Sequence, residues 1–272
     1  MRVLMSEKTQ QQDAPVDVCP HCGAQIQAIE VFGGRVIHKP CDCEKAREER
    51  GEQACETHEE RKERALETTV CQRLEFGGIP SRFYAESPNE QLYQMLNEEG
   101  GLYLWGGVGA GKTRQAMRLA TQWCIDNTAW YDDTPIAPSV RFVSSPALMA
   151  EIKSTFNQNS ELTTDDVVAK YAGSGLLVID DLGQERVTGW AVEQLYLIIN
   201  KRYLSQKPLV VTSNYALNEL GMRLASENGK TAEAIASRIE FMCKDVHTSN
   251  GDLRSSPREE DLCGFWRAKR RT

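Results

Sequence analysis

Two groups of side chains in this 272-residue sequence have types and spacings suited to chemistry. The first is "GGVGAGKT", which is Gly106, Gly107, Val108, Gly109, Ala110, Gly111, Lys112 and Thr113. Small residues there let backbone N–H groups converge on phosphate oxygens at a helix N-terminus. The lysine then reaches the β/γ oxygens and the hydroxyl ligates magnesium, so ATP and Mg2+ are the expected cofactors. A phosphate loop needs an acid opposite it. "GLLVIDDLG" supplies Asp180 and Asp181 at the end of an apolar run, where two adjacent carboxylates are costly to bury without a task. Asp180 is expected to hold the magnesium shell. Asp181 leaves the strand end in another direction and could activate the attacking water. Asn214, closing "VVTSN", could orient that water or sense the γ-phosphate.

The second group is "CPHCGAQIQAIEVFGGRVIHKPCDC", with the pairs Cys19/Cys22 and Cys41/Cys43. Four thiolates in CxxC and CxC pairs fit a tetrahedral zinc site (Zn2+) with no position left for water, which makes it structural. His21 and His38 are possible substitutes for one cysteine. The alternating stretch between the pairs, with Gly33 and Gly34 at its turn, reads as the two short strands of a zinc ribbon. Cys55, Cys71 and Cys263 match no ligand spacing, whereas Cys124 and Cys243 fall on apolar stripes and read as buried thiols.

The elements that must position these groups follow from periodicity. "GLYLW", "VRFVS", "GLLVID" and "LVVTSN" are apolar runs suited to strands covered on both faces, and segments of helical period lie between them. The fold class is α/β: a parallel sheet with helices on both faces and a small helical lid, preceded by the ribbon and a charged helical linker. A strand "VRFVS" between the loop strand and the acid strand argues for the additional-strand class of P-loop ATPases. The helix opened by Lys112 should bury Ala116, Ala120, Trp123 and Cys124, and a later one Leu195, Ile198, Ile199 and Tyr203. Boundaries are expected at 1–14 (a mobile polar tail), 15–45 (ribbon), 46–76 (linker), 77–255 (ATPase domain) and 256–272 (basic tail).

Composition limits the remaining classes. A chain that is 40% hydrophobic can bury one full core and carry an appendage. Nine cysteines, an odd count, argue against a disulfide framework. No run approaches the roughly 20 apolar residues of a membrane span, and no signal peptide is evident, so no membrane contact and a cytoplasmic location are expected. With a net charge of −7, any contact with DNA must be local.

In order along the chain, "GIPSRFY", "GGVGAGKT", "LLVIDDLGQERVTGWAVEQLYLIINKRY", "KPLVVTSN", "IASRIEFM" and "GDLR" resemble the DnaC/DnaI-type helicase loaders and their transposition relative IstB, all AAA+ ATPases, over residues 77–255. The resemblance implies that Asn214 is the sensor on the fourth strand. It implies that Arg238 is a finger acting on an adjacent subunit of a nucleotide-dependent homo-oligomer, and that Arg254 is a second sensor. It also implies single-stranded DNA as a partner, for which Lys153 and Phe156, three apart, are a candidate contact. Phe265, Trp266 and the arginines after them are a weaker candidate. The ribbon resembles N-terminal zinc modules that contact the replicative DnaB-type helicase, which makes it a handle. The expected activity is ATP-dependent helicase loading in DNA replication. The alternative is an IstB-like ATPase that assists a transposase on duplex DNA, and a third reading is an adaptor whose ATPase serves only as a switch.

Overall fold

The computed structural model describes residues 18–26, 28–31, 35–38, 41, 43–49, 58–155, 162–184, 188–225 and 229–248. The mobile tail expected at 1–14, Phe156, Arg254 and the basic end lie outside them. The chain divides into two compact units, 1–61 and 62–272.

In the first unit, β1 (Ala28–Val31) and β2 (Arg35–His38) pair antiparallel, with Ala28 opposite His38 and Val31 opposite Arg35. These are the two short strands expected from the alternation; Gly33 and Gly34, expected at the turn, lie outside the described residues. A short helix, α1 (Glu44–Glu49), follows Cys43.

α2 (His58–Phe76) crosses the boundary between units, and its C-terminal part belongs to the second, where Val70 and Leu74 are buried. Next come α3 (Glu90–Glu99), β3 (Gly101–Trp105), α4 (Lys112–Asp126), the hairpin β4 (Ala129–Tyr131) and β5 (Thr134–Ile136), β6 (Val140–Ser144), α5 (Ser145–Ser154) and α6 (Thr164–Gly173). The order ends with β7 (Leu176–Asp180), α7 (Gly189–Leu204), β8 (Leu209–Ser213), α8 (Leu217–Leu224), α9 (Gly229–Met242) and β9 (Lys244–His247). The helices begin where the sequence supplies caps. Asn89 accepts from the Leu92 N–H, Ser144 from that of Ala147 and Thr188 from that of Ala191, while Thr163 and Asp166 form a capping box.

Five strands form one parallel sheet in the order β6-β7-β8-β3-β9. The four apolar runs are all strands. β8 stands in space between the loop strand β3 and the acid strand β7, so it is the additional strand, while β6, the "VRFVS" run, takes the sheet edge. Alternate side chains explain the three layers. Tyr103, Leu177, Ile179, Leu209 and Val211 face a core shared with α5 to α9. Leu102, Leu104, Leu176, Val178 and Val210 face a second core shared with α2, α3 and α4. Ala116, Ala120, Cys124, Leu195, Ile198 and Ile199 are buried as expected, with Trp123 and Tyr203 partly buried at the margins. The helices of the expected lid region, α8 and α9, pack on the α7 side of the sheet, and the chain then returns as β9. No helix among the described residues is long and apolar enough to cross a membrane.

Candidate functional site

The phosphate loop runs from the C-terminal end of β3 to the first turn of α4. Its glycines are required by geometry. Gly106 has φ +143°, and a Cβ there would stand 2.3 Å from the Thr248 carbonyl oxygen; Gly111, at φ +77°, heads α4 in the left-handed region. Lys112 is only 5% exposed, and its Nζ donates to the Gly106 and Gly107 carbonyls and to Asn214 Oδ1, each at 2.9 Å. These partners hold the ammonium at the loop instead of letting it extend into solvent. Lys112 and Asn214, 102 residues apart in sequence, therefore share one site.

Thr113 Oγ1 donates to both carboxylate oxygens of Asp180, at 2.9 and 3.1 Å. Asp180 is buried at the end of β7 and also accepts from Thr212 Oγ1 at 2.6 Å. Burial pushes the Asp180 carboxyl above its ordinary range and the neighbouring Asp181 adds to this, while Thr212, Thr113 and the Lys112 charge oppose it. A hydroxyl beside a buried carboxyl group suits Mg2+, which takes oxygen ligands and whose charge would favour the ionised carboxylate. When bound, the ion supplies positive charge to the β- and γ-phosphate oxygens. Asp181 follows at φ +56°, unusual for a residue with a Cβ, and its N–H donates to Thr212 Oγ1 at 2.9 Å.

Arg238 lies on α9 and engages α7. Nε donates to Asn200 Oδ1 at 2.8 Å, Nη2 to the Tyr196 hydroxyl at 3.2 Å, and the guanidinium sits 4.8 Å from the Tyr196 ring centre. Within its own chain it joins those residues and not the phosphate loop. Lys153 is exposed on α5.

In the first unit, the sulfurs of Cys19, Cys22, Cys41 and Cys43 lie within 4.8 Å of one another. Cys19 and Cys43 are 3.7 Å apart, and Cys22 and Cys41 3.4 Å. Zn–S bonds of about 2.3 Å in a tetrahedron separate sulfurs by about 3.8 Å, close to the two shorter separations here, so the four sulfurs could hold zinc. The turn that brings the first pair together is closed by Cys19 N–H to the Ala24 carbonyl (2.8 Å) and Gly23 N–H to the Cys19 carbonyl (2.9 Å). Backbone N–H groups of His21 and Cys22 lower the Cys19 thiol to about 6. Cys22 gains from the Ala24 N–H, but Cys41 beside it and burial together push it up to about 12. Thiolates this close repel one another, and a cation among them would let the set ionise together.

The profile of the family described as "IstB-like ATP binding protein" matches residues 92–260, more than half of the chain. This chain belongs to that family. The IstB-like segment contains the whole nucleotide site and excludes the cysteine cluster. Among curated proteins, the replicative helicase loader DnaI of Bacillus subtilis is 26% identical over 165 residues, covering 59% of this chain and 49% of DnaI. An uncharacterized protein of the same organism, YqaM, is 40% identical over 75 residues, covering 26% of this chain and 21% of YqaM. The chain thus spans half or less of the length of these relatives. A crystal structure of DnaI matches 58% of this chain and 82% of that one, with a TM-score of 0.48 and 23% identity.

Several residues that shape the IstB-like site were not evident from the motifs. Thr212 and Ser213 lie inside the quoted "VVTSN", where hydroxyls at a buried strand end were the available signal. Glu86 accepts from Arg114 Nε and Nη2, both at 2.7 Å, and from Arg118, tying the segment before α3 to the helix behind the phosphate loop. Burial alone would raise the Glu86 carboxyl, but these two arginines hold it below its ordinary range.

Proposed function

We propose that this chain is an ATP-hydrolysing loader of a replicative DnaB-type helicase. In this reading Lys112, Thr113 and Asp180 hold Mg-ATP, Asp181 activates water, and Asn214 senses the γ-phosphate. Arg238 completes the site of a neighbouring subunit in a nucleotide-dependent homo-oligomer that grips single-stranded DNA. The observation that carries the proposal is the pairing of an IstB-like nucleotide unit with a separate unit whose four converging sulfurs leave no ligand position for substrate. A closed metal site on its own unit is suited to docking. The similarity to DnaI points to a replicative helicase as what docks there.

The test is light scattering coupled to size-exclusion chromatography of the chain mixed with a DnaB-type helicase, with and without ATP, for wild type and Cys19→Ser/Cys22→Ser. A complex lost in a double variant that still binds nucleotide supports the loader and places its docking module. The family description also favours a second reading, an ATPase assisting a transposase. No helicase complex under any nucleotide condition, together with ATP-dependent assembly on duplex DNA, would select it.

A further inference from the structure

We propose that Thr212 is a positioning residue for magnesium at the nucleotide site, acting through Asp180; this rests on the nucleotide-site reading above. The parallel pairing of β7 with β8 runs Leu177 to Leu209, Val178 to Val210 and Ile179 to Val211. It is not continued at the next pair. The Thr212 carbonyl instead accepts from the Leu182 N–H at 2.8 Å, so Asp180 and Asp181 step out of the ladder with their backbone between two anchored points. The Thr212 hydroxyl closes that gap on both sides. It donates to Asp180 Oδ1 at 2.6 Å and accepts from the Asp181 N–H at 2.9 Å. One step further on, Ser213 Oγ donates to the Leu182 carbonyl at 2.7 Å and fixes the exit of the same turn.

Three consequences follow from these contacts. Thr212 is 0% exposed, so water cannot replace its hydroxyl. With Oδ1 accepting from Thr212 at 2.6 Å and from Thr113 at 2.9 Å, and Oδ2 accepting from Thr113 at 3.1 Å, the Asp180 carboxylate is fixed in rotation beside the hydroxyl that would share the metal with it. The left-handed backbone of Asp181 keeps its N–H partner only while that hydroxyl is present. The strand that carries Asn214 thereby sets the direction of the magnesium acid.

The experiment titrates Mg2+ into the full chain with a fluorescent ATP analogue and follows binding, without relying on turnover. Thr212→Val keeps the shape and removes the hydroxyl. It is expected to raise the Mg2+ concentration for half-saturation by roughly tenfold to a hundredfold, the worth of a hydrogen bond to a charged group. Nucleotide affinity without Mg2+ should stay at the wild-type level, and Thr212→Ser should restore the Mg2+ response. Thr212→Ala repeats the test if the valine variant does not fold. An unchanged Mg2+ half-saturation, an equal loss of affinity with and without Mg2+, or a serine variant that behaves like valine overturns the assignment. A wild-type chain with no Mg2+-dependent nucleotide binding overturns the nucleotide site itself.

Discussion

At the scale of single residues, the acid strand stores an electrostatic cost that the nucleotide site puts to use. Asp180 is buried next to Asp181, and its carboxyl is pushed above the ordinary carboxylate range despite three opposing contacts. A carboxyl whose pKa is raised by folding holds its proton more tightly in the folded state. Above the unfolded value, stability therefore falls as pH rises through the folded one. Asp180→Asn is expected to raise the melting temperature at neutral pH without nucleotide, while abolishing the Mg2+ dependence of ATP binding. The thermal gain should vanish below the ordinary carboxylate range, where the wild-type group is protonated in both states. Calorimetric scans across that range check the sign, and a variant less stable than wild type at neutral pH contradicts it.

At the scale of elements, Arg202 ties together parts that sequence places far apart. It lies on the apolar stripe of α7, continuing Leu195, Ile198 and Ile199, and is 0% exposed. Its guanidinium donates to the carbonyls of Tyr171 (3.1 Å), Ala172 (3.3 Å), Ser174 (2.9 Å) and Gly175 (3.2 Å), and to that of Pro208. These are the last carbonyls of α6 and the entries to β7 and β8, so one side chain caps a helix and anchors two strands at the end opposite the phosphate loop. Burial lowers its guanidinium to about 9, which leaves it charged at neutral pH. Arg202→Ala strands several buried carbonyls, each costing about 1–3 kcal/mol, so a loss of at least about 3 kcal/mol is expected in urea unfolding. Arg202→Lys should recover only part of that, because an ammonium cannot span the fan of acceptors. Full recovery with lysine would mean that charge, and not the planar fork, holds these elements.

At the scale of the whole molecule, two compact units carry two separate chemistries. A small hairpin beside four converging sulfurs is expected to draw folding free energy from a bound metal, whereas the larger unit has two cores of its own. A strong chelator is expected to release one zinc per chain and to abolish amide protection across β1 and β2. Protection across β3 and β8 and nucleotide binding should remain; concerted loss of protection in both sheets would show that the units do not fold separately. Arg238 belongs to this scale too, since beyond its own helix its hydrogen bonds are to α7. Arg238→Ala is expected to leave ATP affinity intact and to lower turnover by roughly 10³-fold in assemblies, as loss of a trans arginine does. Turnover measured against protein concentration checks this, and equal loss of binding would place the arginine at its own nucleotide.

How much was legible from sequence depended on the distance over which each feature is encoded. The loop Gly106–Thr113, the acids at the end of β7 and the four cysteines carry their geometry in short spacings, because the turn that each needs is built from neighbouring residues. The four main strands were equally plain, since strands buried on both faces read as continuous apolar runs. β9, four residues with three polar or charged side chains at a sheet edge, has no such run and was not evident. The spatial order was not evident either: which strand separates β3 from β7 is a choice among crossovers that leave the same local pattern. Thr212 and Arg202 are ordinary residues in their own segments. Sequence by itself determined the nucleotide chemistry, the thiolate set and the layered class. Only the tertiary structure decided that Thr212 meets Asp180, that Lys112 meets Asn214, that Arg202 caps α6 and that Arg238 rests on α7. Each of these contacts joins residues about 30 to 100 positions apart, and only the packed sheet brings such residues within hydrogen-bond reach.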